Sequence, residues 1–211
     1  MKAMGGDRMP DEYYVNSPVL KAFIVRVLDI VAAEPSPQIR VERMEPAFEN
    51  LLAASGWLPE EFTRANPSSK MGGGIASYLI YRREDRSLTV HALVVPPGSE
   101  TPVHDHLAWG LVGLYRGEQD EEVFRRHDHG EIPGKASLSL VERRTLKPGD
   151  CYKLLPPEGD IHRVRTTSDV PSISIHLLGN DLGCIWRHSY DPHHGTVNDF
   201  RSGYTNVECN E

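Results

Sequence analysis

Apolar residues change their spacing once in this sequence, and the change separates a helical part from a stranded part. Val19, Leu20, Phe23, Ile24, Val27, Leu28 and Val31 recur at helical spacing until Pro35, the repeat that keeps side chains on one helix face. Ser17-Pro18 stands ahead of them as an N-cap and first-turn pair, so an amphipathic helix is predicted there. A second helix is predicted from Val41 to Ala54, with Pro46 breaking or restarting it and Ser55-Gly56 closing it. A short turn follows at Pro59-Glu60-Glu61-Phe62. The aliphatic stripe of this region reads as core packing.

Beyond Tyr78 the apolar residues fall in short runs separated by Gly, Pro or charged turns. Eight strands are expected: Tyr78 to Tyr81, Leu88 to Val95, Leu107 to Tyr115, Glu121 to Arg125, Ser137 to Arg143, Cys151 to Leu155, His162 to Thr166 and Ser172 to Leu178. That number fits a double-stranded β-helix, a small barrel of the jelly-roll kind. The expected fold is therefore mainly β, with the N-terminal helices packed on the barrel. The segment after Pro192 is rich in His, Gly, Asn and Ser and is expected to wrap the barrel as loop.

Composition limits the size and the partners. With 211 residues, 39% of them hydrophobic, the chain can fill one barrel and its helices but not two ample domains. A single domain over 1–211 is expected, made of a helical part at 1–75, a barrel at 76–190 and a tail at 191–211. Net charge is −7, and the only basic stretches are the pairs Arg82-Arg83, Arg125-Arg126 and Arg143-Arg144, so no nucleic-acid footprint is visible. No apolar run approaches the ~20 residues of a membrane span, and Met1 to Asp7 has no apolar core of a signal peptide. The three cysteines, Cys151, Cys184 and Cys209, are odd in number without CxxC spacing, which predicts free thiols in a reducing compartment and a cytoplasmic protein. Monomer and homo-oligomer stay open.

Candidate chemistry centres on His104-Asp105-His106 and on His162 in Pro157-Glu158-Gly159-Asp160-Ile161-His162. In an extended strand, side chains at i and i+2 leave one face roughly 6–7 Å apart, so two imidazoles can converge on one ion while Asp105 points away. A third His on a second Gly/Pro-punctuated strand predicts a three-histidine metal site. The other histidines have plainer readings. His91 lacks a partner at i+2 and is expected to be packed or hydrogen-bonded, not a ligand. His127 and His129 flank a charged turn and read as a solvated hairpin tip, while the adjacent His193 and His194 point opposite ways. Trp109 reads equally well as pocket wall or core aromatic.

Gly98, His104, His106 and Gly117, with Pro157, Gly159 and His162, resemble the two signature motifs of the cupin superfamily. The cupin Glu ligand is absent, because Gly110 and Leu111 occupy its position. That substitution is similar to the thiol dioxygenases, above all their bacterial 3-mercaptopropionate branch. The likeness runs from about Leu88 to Asn206 through Trp109-Gly110-Leu111, Ser172-Ile173-Ser174-Ile175-His176, Gly183, Arg187 and Ser202-Gly203-Tyr204. It implies Fe(II) held by His104, His106 and His162, and addition of both atoms of O2 to a thiolate sulfur, giving a sulfinate. It also implies a relay through Ser174 and His176 beside the metal, and Arg187 as the anchor of a substrate carboxylate. Two departures stand out. Leu178 replaces the relay Tyr, and Tyr78 falls where cysteine dioxygenases carry their carboxylate Arg.

Leu178 has two readings. Either His176 and water suffice for a small mercapto-acid, or the lost ring admits a bulkier thiol or thione. Three neutral imidazoles leave the charge of a dication uncompensated, which favours an anionic substrate. Two alternatives to the dioxygenase remain: a non-catalytic ligand-binding cupin and a three-His zinc enzyme.

Overall fold

The computed structural model describes residues 10–69 and 71–209. Met1 to Asp7, read above for leader character, lies outside them. Helix α1 spans Pro18–Ala33 and α2 spans Pro37–Ala53. The Ser17 hydroxyl accepts from the Leu20 amide at 3.5 Å, and Ser36-Pro37 repeats the Ser-Pro entry for α2. Pro46 does not break α2 as expected. Val41, Met44, Phe48, Leu51 and Leu52 are buried on both sides of it, and that continuous apolar face outweighs the lost backbone hydrogen bond.

Twelve strands form among the described residues, four more than the sequence reading predicts. They are β1 (Glu12–Tyr13), β2 (Ala76–Arg82), β3 (Thr89–Val95), β4 (Val103–His104), β5 (Gly110–Arg116), β6 (Gln119–Arg126), β7 (Leu138–Leu146), β8 (Cys151–Leu154), β9 (Ile161–Thr166), β10 (Ser172–Leu178), β11 (Arg187–Asp191) and β12 (Thr196–Phe200). One sheet runs β1-β2-β3-β10-β5-β8 and the other β12-β11-β4-β9-β6-β7. Counting β3 to β10 as one to eight, their orders are one-eight-three-six and two-seven-four-five. Such interleaving is the jelly-roll winding of a double-stranded β-helix. The chain therefore has the expected mainly β fold. The helices pack on the first sheet, where Phe48 and Leu52 join Val90, Leu111 and Ile175 in one apolar cluster.

The tail departs from expectation. Its polar composition hides a hairpin: β11 and β12 pair with each other, and β11 also pairs with β4, setting Ser189 opposite His104. Beyond the hairpin the chain is tied back to β2, where the Ser77 amide donates to the Thr205 hydroxyl and the Leu79 amide to the Asn206 side chain. Tyr204 donates to Asp181, which also pairs with buried Arg82 at 3.2 Å. The cysteine reading is corrected as well. Cys184 and Cys209 form a disulfide with Cα atoms 5.2 Å apart, and Cys151 alone is free. Two of the three cysteines are brought together by the tail's return, which spacing in the sequence does not reveal. The argument for a reducing compartment loses that premise. No helix among the described residues is long and apolar enough to cross a membrane.

Candidate metal centre

His104, His106 and His162 offer ligand nitrogens that lie within 4.8 Å of one another, and all three are buried. Strand register explains part of this. His104 on β4 is the direct antiparallel partner of His162 on β9, so their side chains leave neighbouring strands on one face. His106 lies just past the end of β4, followed by Leu107 at φ 54°. The expected i, i+2 strand pair thus becomes a strand residue and a loop residue.

Hydrogen bonds at the far side of each ring set its tautomer. Nδ1 of His104 lies 2.9 Å from the Pro102 carbonyl, and Nδ1 of His106 lies 3.1 Å from the Asp160 carbonyl. Nδ1 of His162 meets the Glu121 carboxylate, which also accepts from Arg144. These oxygens only accept, so each Nδ1 carries the proton and each Nε2 keeps a lone pair for a metal. Nε2 of His106 is buried without any protein partner. Burial depresses the pKa of His104 and His106, and neighbouring His162 lowers both further. Burial acts to raise Glu121, but its bonds to His162 and Arg144 prevail and hold it at about 2. Neutral imidazoles, oriented lone pairs and a fixed outer carboxylate fit a divalent transition metal.

Sterics account for the missing acidic ligand. A Cβ built on Gly110 would collide with the Leu177 carbonyl oxygen and lie 2.6 Å from Leu178, so no side chain fits there. Leu111 belongs to the cluster beneath the helices.

A cavity of about 20 Å³ adjoins the ligands, enough for one water. His91, His176, Arg187, Leu182, Phe200 and Met71 help line it. Arg187 is buried, donates from one terminal nitrogen to the Asp105 carbonyl at 2.8 Å, and keeps an unpartnered Nε. Its guanidinium carbon lies 4.5 Å from the Phe200 ring centre. Burial lowers its pKa to about 10. Asp105 points away from the metal as expected, yet it is structural. Its carboxylate accepts from the His188 amide at 2.8 Å and from Tyr190 at 2.9 Å, which fixes β11 and hence Arg187.

The other predicted site residues divide. Ser174 and His176 are buried on β10, but Nδ1 of His176 has no hydrogen-bond partner. Leu178 does not line the cavity. It packs with Val112, Leu114, Tyr152, Leu154 and Leu182, so the space of the absent Tyr ring is filled by the core. Trp109 lies outside the barrel under Arg40, 5.3 Å from its guanidinium carbon. Tyr78 also faces outward, donating to the Arg64 carbonyl and resting edge-on against Phe62. Its neighbour Ser77 lines the cavity instead.

His91 is packed, as the sequence reading expects, but it packs at the cavity wall, where it faces His176 across the β3–β10 ladder. Their ring centres are 4.5 Å apart with planes 12° from parallel. Burial, His106 and Arg187 lower the His91 pKa to about 3. A signal was available in the apolar run Thr89-Val90-His91-Ala92-Leu93, where one imidazole sits on a strand with both faces covered. His127 and His129 are exposed at a loop, as expected; His193 and His194 are exposed too, but their rings meet edge-on with centres 4.8 Å apart instead of pointing opposite ways.

No family model matches the chain. An oxalate oxidase bound to glycolate aligns over 56% of this chain and 56% of its own, at 16% identity and a TM-score of 0.41. The chain thus matches just over half the length of that enzyme. A conserved protein with a double-stranded β-helix domain from Klebsiella pneumoniae aligns over 60% of this chain and 86% of its own, at 16% identity and a TM-score of 0.41. The Cupin_2 domain of an XRE family transcriptional regulator from Enterobacter cloacae aligns over 49% and 94%, at 21% identity and a TM-score of 0.34. These likenesses concern the fold.

Proposed function

We propose that this protein is an Fe(II)-dependent dioxygenase that adds O2 to the sulfur of a small carboxylate-bearing thiol or thione, giving a sulfinate. The observation that carries the reading is the convergence of His104, His106 and His162, with the unpartnered Nε of buried Arg187 lining the cavity beside His104 and His106. A bound carboxylate would supply both the missing hydrogen-bond partner and the compensating charge for this guanidinium. His104, His106 and His162 would hold the iron, with Pro102, Asp160 and Glu121 fixing their rings. When bound, Fe(II) supplies a Lewis acid that favours the thiolate form of a sulfur ligand and a redox partner for O2.

The balance is RS⁻ + O2 → RSO2⁻. All electrons come from sulfur, so no external reductant is needed. The cavity of about 20 Å³ is smaller than a mercapto-acid, so its walls must move apart on binding for Arg187 to take the carboxylate and orient the sulfur toward the metal face. Leu182 and Phe200 exclude water beside it. His176 lines the same cavity, so its imidazole would border the bound reactants. Soluble mercapto-acid and O2 are the partners this reading requires.

Oxygen uptake by the iron-loaded protein tests it against the ligand-binding and zinc alternatives. With 3-mercaptopropionate or a related mercapto-acid, one O2 should disappear per sulfinate formed. His104→Ala, His106→Ala and His162→Ala should each lose iron and activity, while Asp105→Ala, which removes no ligand, retains iron. Iron at full occupancy in any of the three histidine variants, or no oxygen uptake across the panel, overturns the reading.

A further inference from the structure

His91 is buried at 4% exposure and His176 at 3%. Both line the cavity with His106 and Arg187, and both leave Nδ1 buried without a partner. Buried polar atoms without a protein partner are costly in a finished core, and the two rings that carry them border the cavity where a ligand could bond to them. Their nearly parallel stacking and direct cross-strand register make the pair one rigid wall. The Leu178 and Leu182 side chains nearby are apolar and offer no hydrogen bond.

We propose that His91 is a specificity-determining residue which, together with His176, hydrogen-bonds a neutral polar group on the carbon skeleton of the substrate. This rests on the reading of the site as a thiol dioxygenase. A neutral imidazole is a donor at one nitrogen and an acceptor at the other, so a hydroxyl, an amide or a ring N–H can satisfy the wall. An ammonium group is disfavoured, because Arg187 and a bound dication already concentrate positive charge in the same small space. Burial lowers the pKa of both histidines, in keeping with a neutral pair. The preferred substrate is thus a mercapto-acid with an additional uncharged hydrogen-bonding group.

Three probes separate the cases: 3-mercaptopropionate has no additional group, 3-mercaptolactate adds a hydroxyl, and cysteine adds an ammonium. Binding to the iron-loaded protein is measured by calorimetry under argon, and kcat/KM by oxygen uptake. Wild type should bind 3-mercaptolactate about tenfold or more tighter than 3-mercaptopropionate, the scale expected when a buried polar wall gains or lacks its partner, and should bind cysteine no tighter. His91→Phe keeps a ring for stacking on His176 and should lose far more affinity for 3-mercaptolactate than for 3-mercaptopropionate, with iron content retained. Should His91→Phe fail to fold, His91→Gln provides the comparison and should keep part of the preference. A wild type indifferent to the hydroxyl, or a preference that survives His91→Phe, overturns the proposal while leaving the dioxygenase reading intact if 3-mercaptopropionate is oxidised. If none of the three is oxidised, the dioxygenase reading fails and this proposal with it.

Discussion

Arg187 is the side chain in which sequence, burial and chemistry meet most closely. Its position in the sequence follows the carboxylate arginine of a resembled family, and its guanidinium is buried with Nε unpaired. Losing a charge-assisted pair with a carboxylate costs roughly 2–4 kcal/mol, or about 30- to 1000-fold in kcat/KM. Arg187→Ala should therefore slow a carboxylated thiol far more than its decarboxylated analogue, measured as paired kcat/KM values. Equal losses on both would make the arginine structural. The three converging histidines and the arginine at the cavity wall could be read from the sequence because each belongs to a local motif. Leu178, Trp109 and Tyr78 were misplaced because each depends on which face of a strand or loop meets the cavity, and a shift of one residue reverses that face. Tyr78 faces out where Ser77 faces in. Leu178 shares the His176 face, but the barrel core takes it up, so the idea of a pocket enlarged at Leu178 loses its geometric support.

At the level of strands and helices, local spacing gave α1, the long strands and the presence of α2. Boundaries and short partners escaped it. β4 is only two residues long, too short for alternation to register, and β11 and β12 are recognisable as strands only through their pairing with β4 and each other. That pairing matters for function, because it brings Arg187 beside the metal ligands and carries Phe200 and Ser202 to the cavity wall. The Cys184–Cys209 disulfide closes this arm, with a sequence separation of 25. On a chain-entropy basis a loop of that length stabilises the fold by about 3.5 kcal/mol. Cys209→Ser should lower the melting temperature under oxidising conditions, and wild type with reductant should melt like the variant. Identical melts for wild type and Cys209→Ser without reductant would show that the bridge does not form.

Taken whole, the barrel encloses an unusual load of neutral imidazole. The pKa values of His91, His104, His106 and His176 are all lowered, chiefly by burial. In the unfolded chain these groups titrate near 6.5, so between that value and their lower folded values the unfolded state binds more protons. Stability is therefore present in full above about pH 6.5 and is lost as pH falls, with each such group contributing up to about 1.4 kcal/mol per pH unit. Glu121 has the same sign further down, its contribution present above the ordinary carboxylate range and lost as pH approaches about 2. Metal binding acts in the same direction, because ligand imidazoles must be unprotonated. Thermal melts of the metal-free protein should show Tm nearly level from pH 9 to 7 and falling steeply from pH 6.5 to 5. His91→Phe, which removes one of the four titrating groups, should flatten that fall. A Tm independent of pH between 6.5 and 5 would mean that these rings are solvated and charged in solution, and the neutral ligand set argued for the metal centre would fall with it.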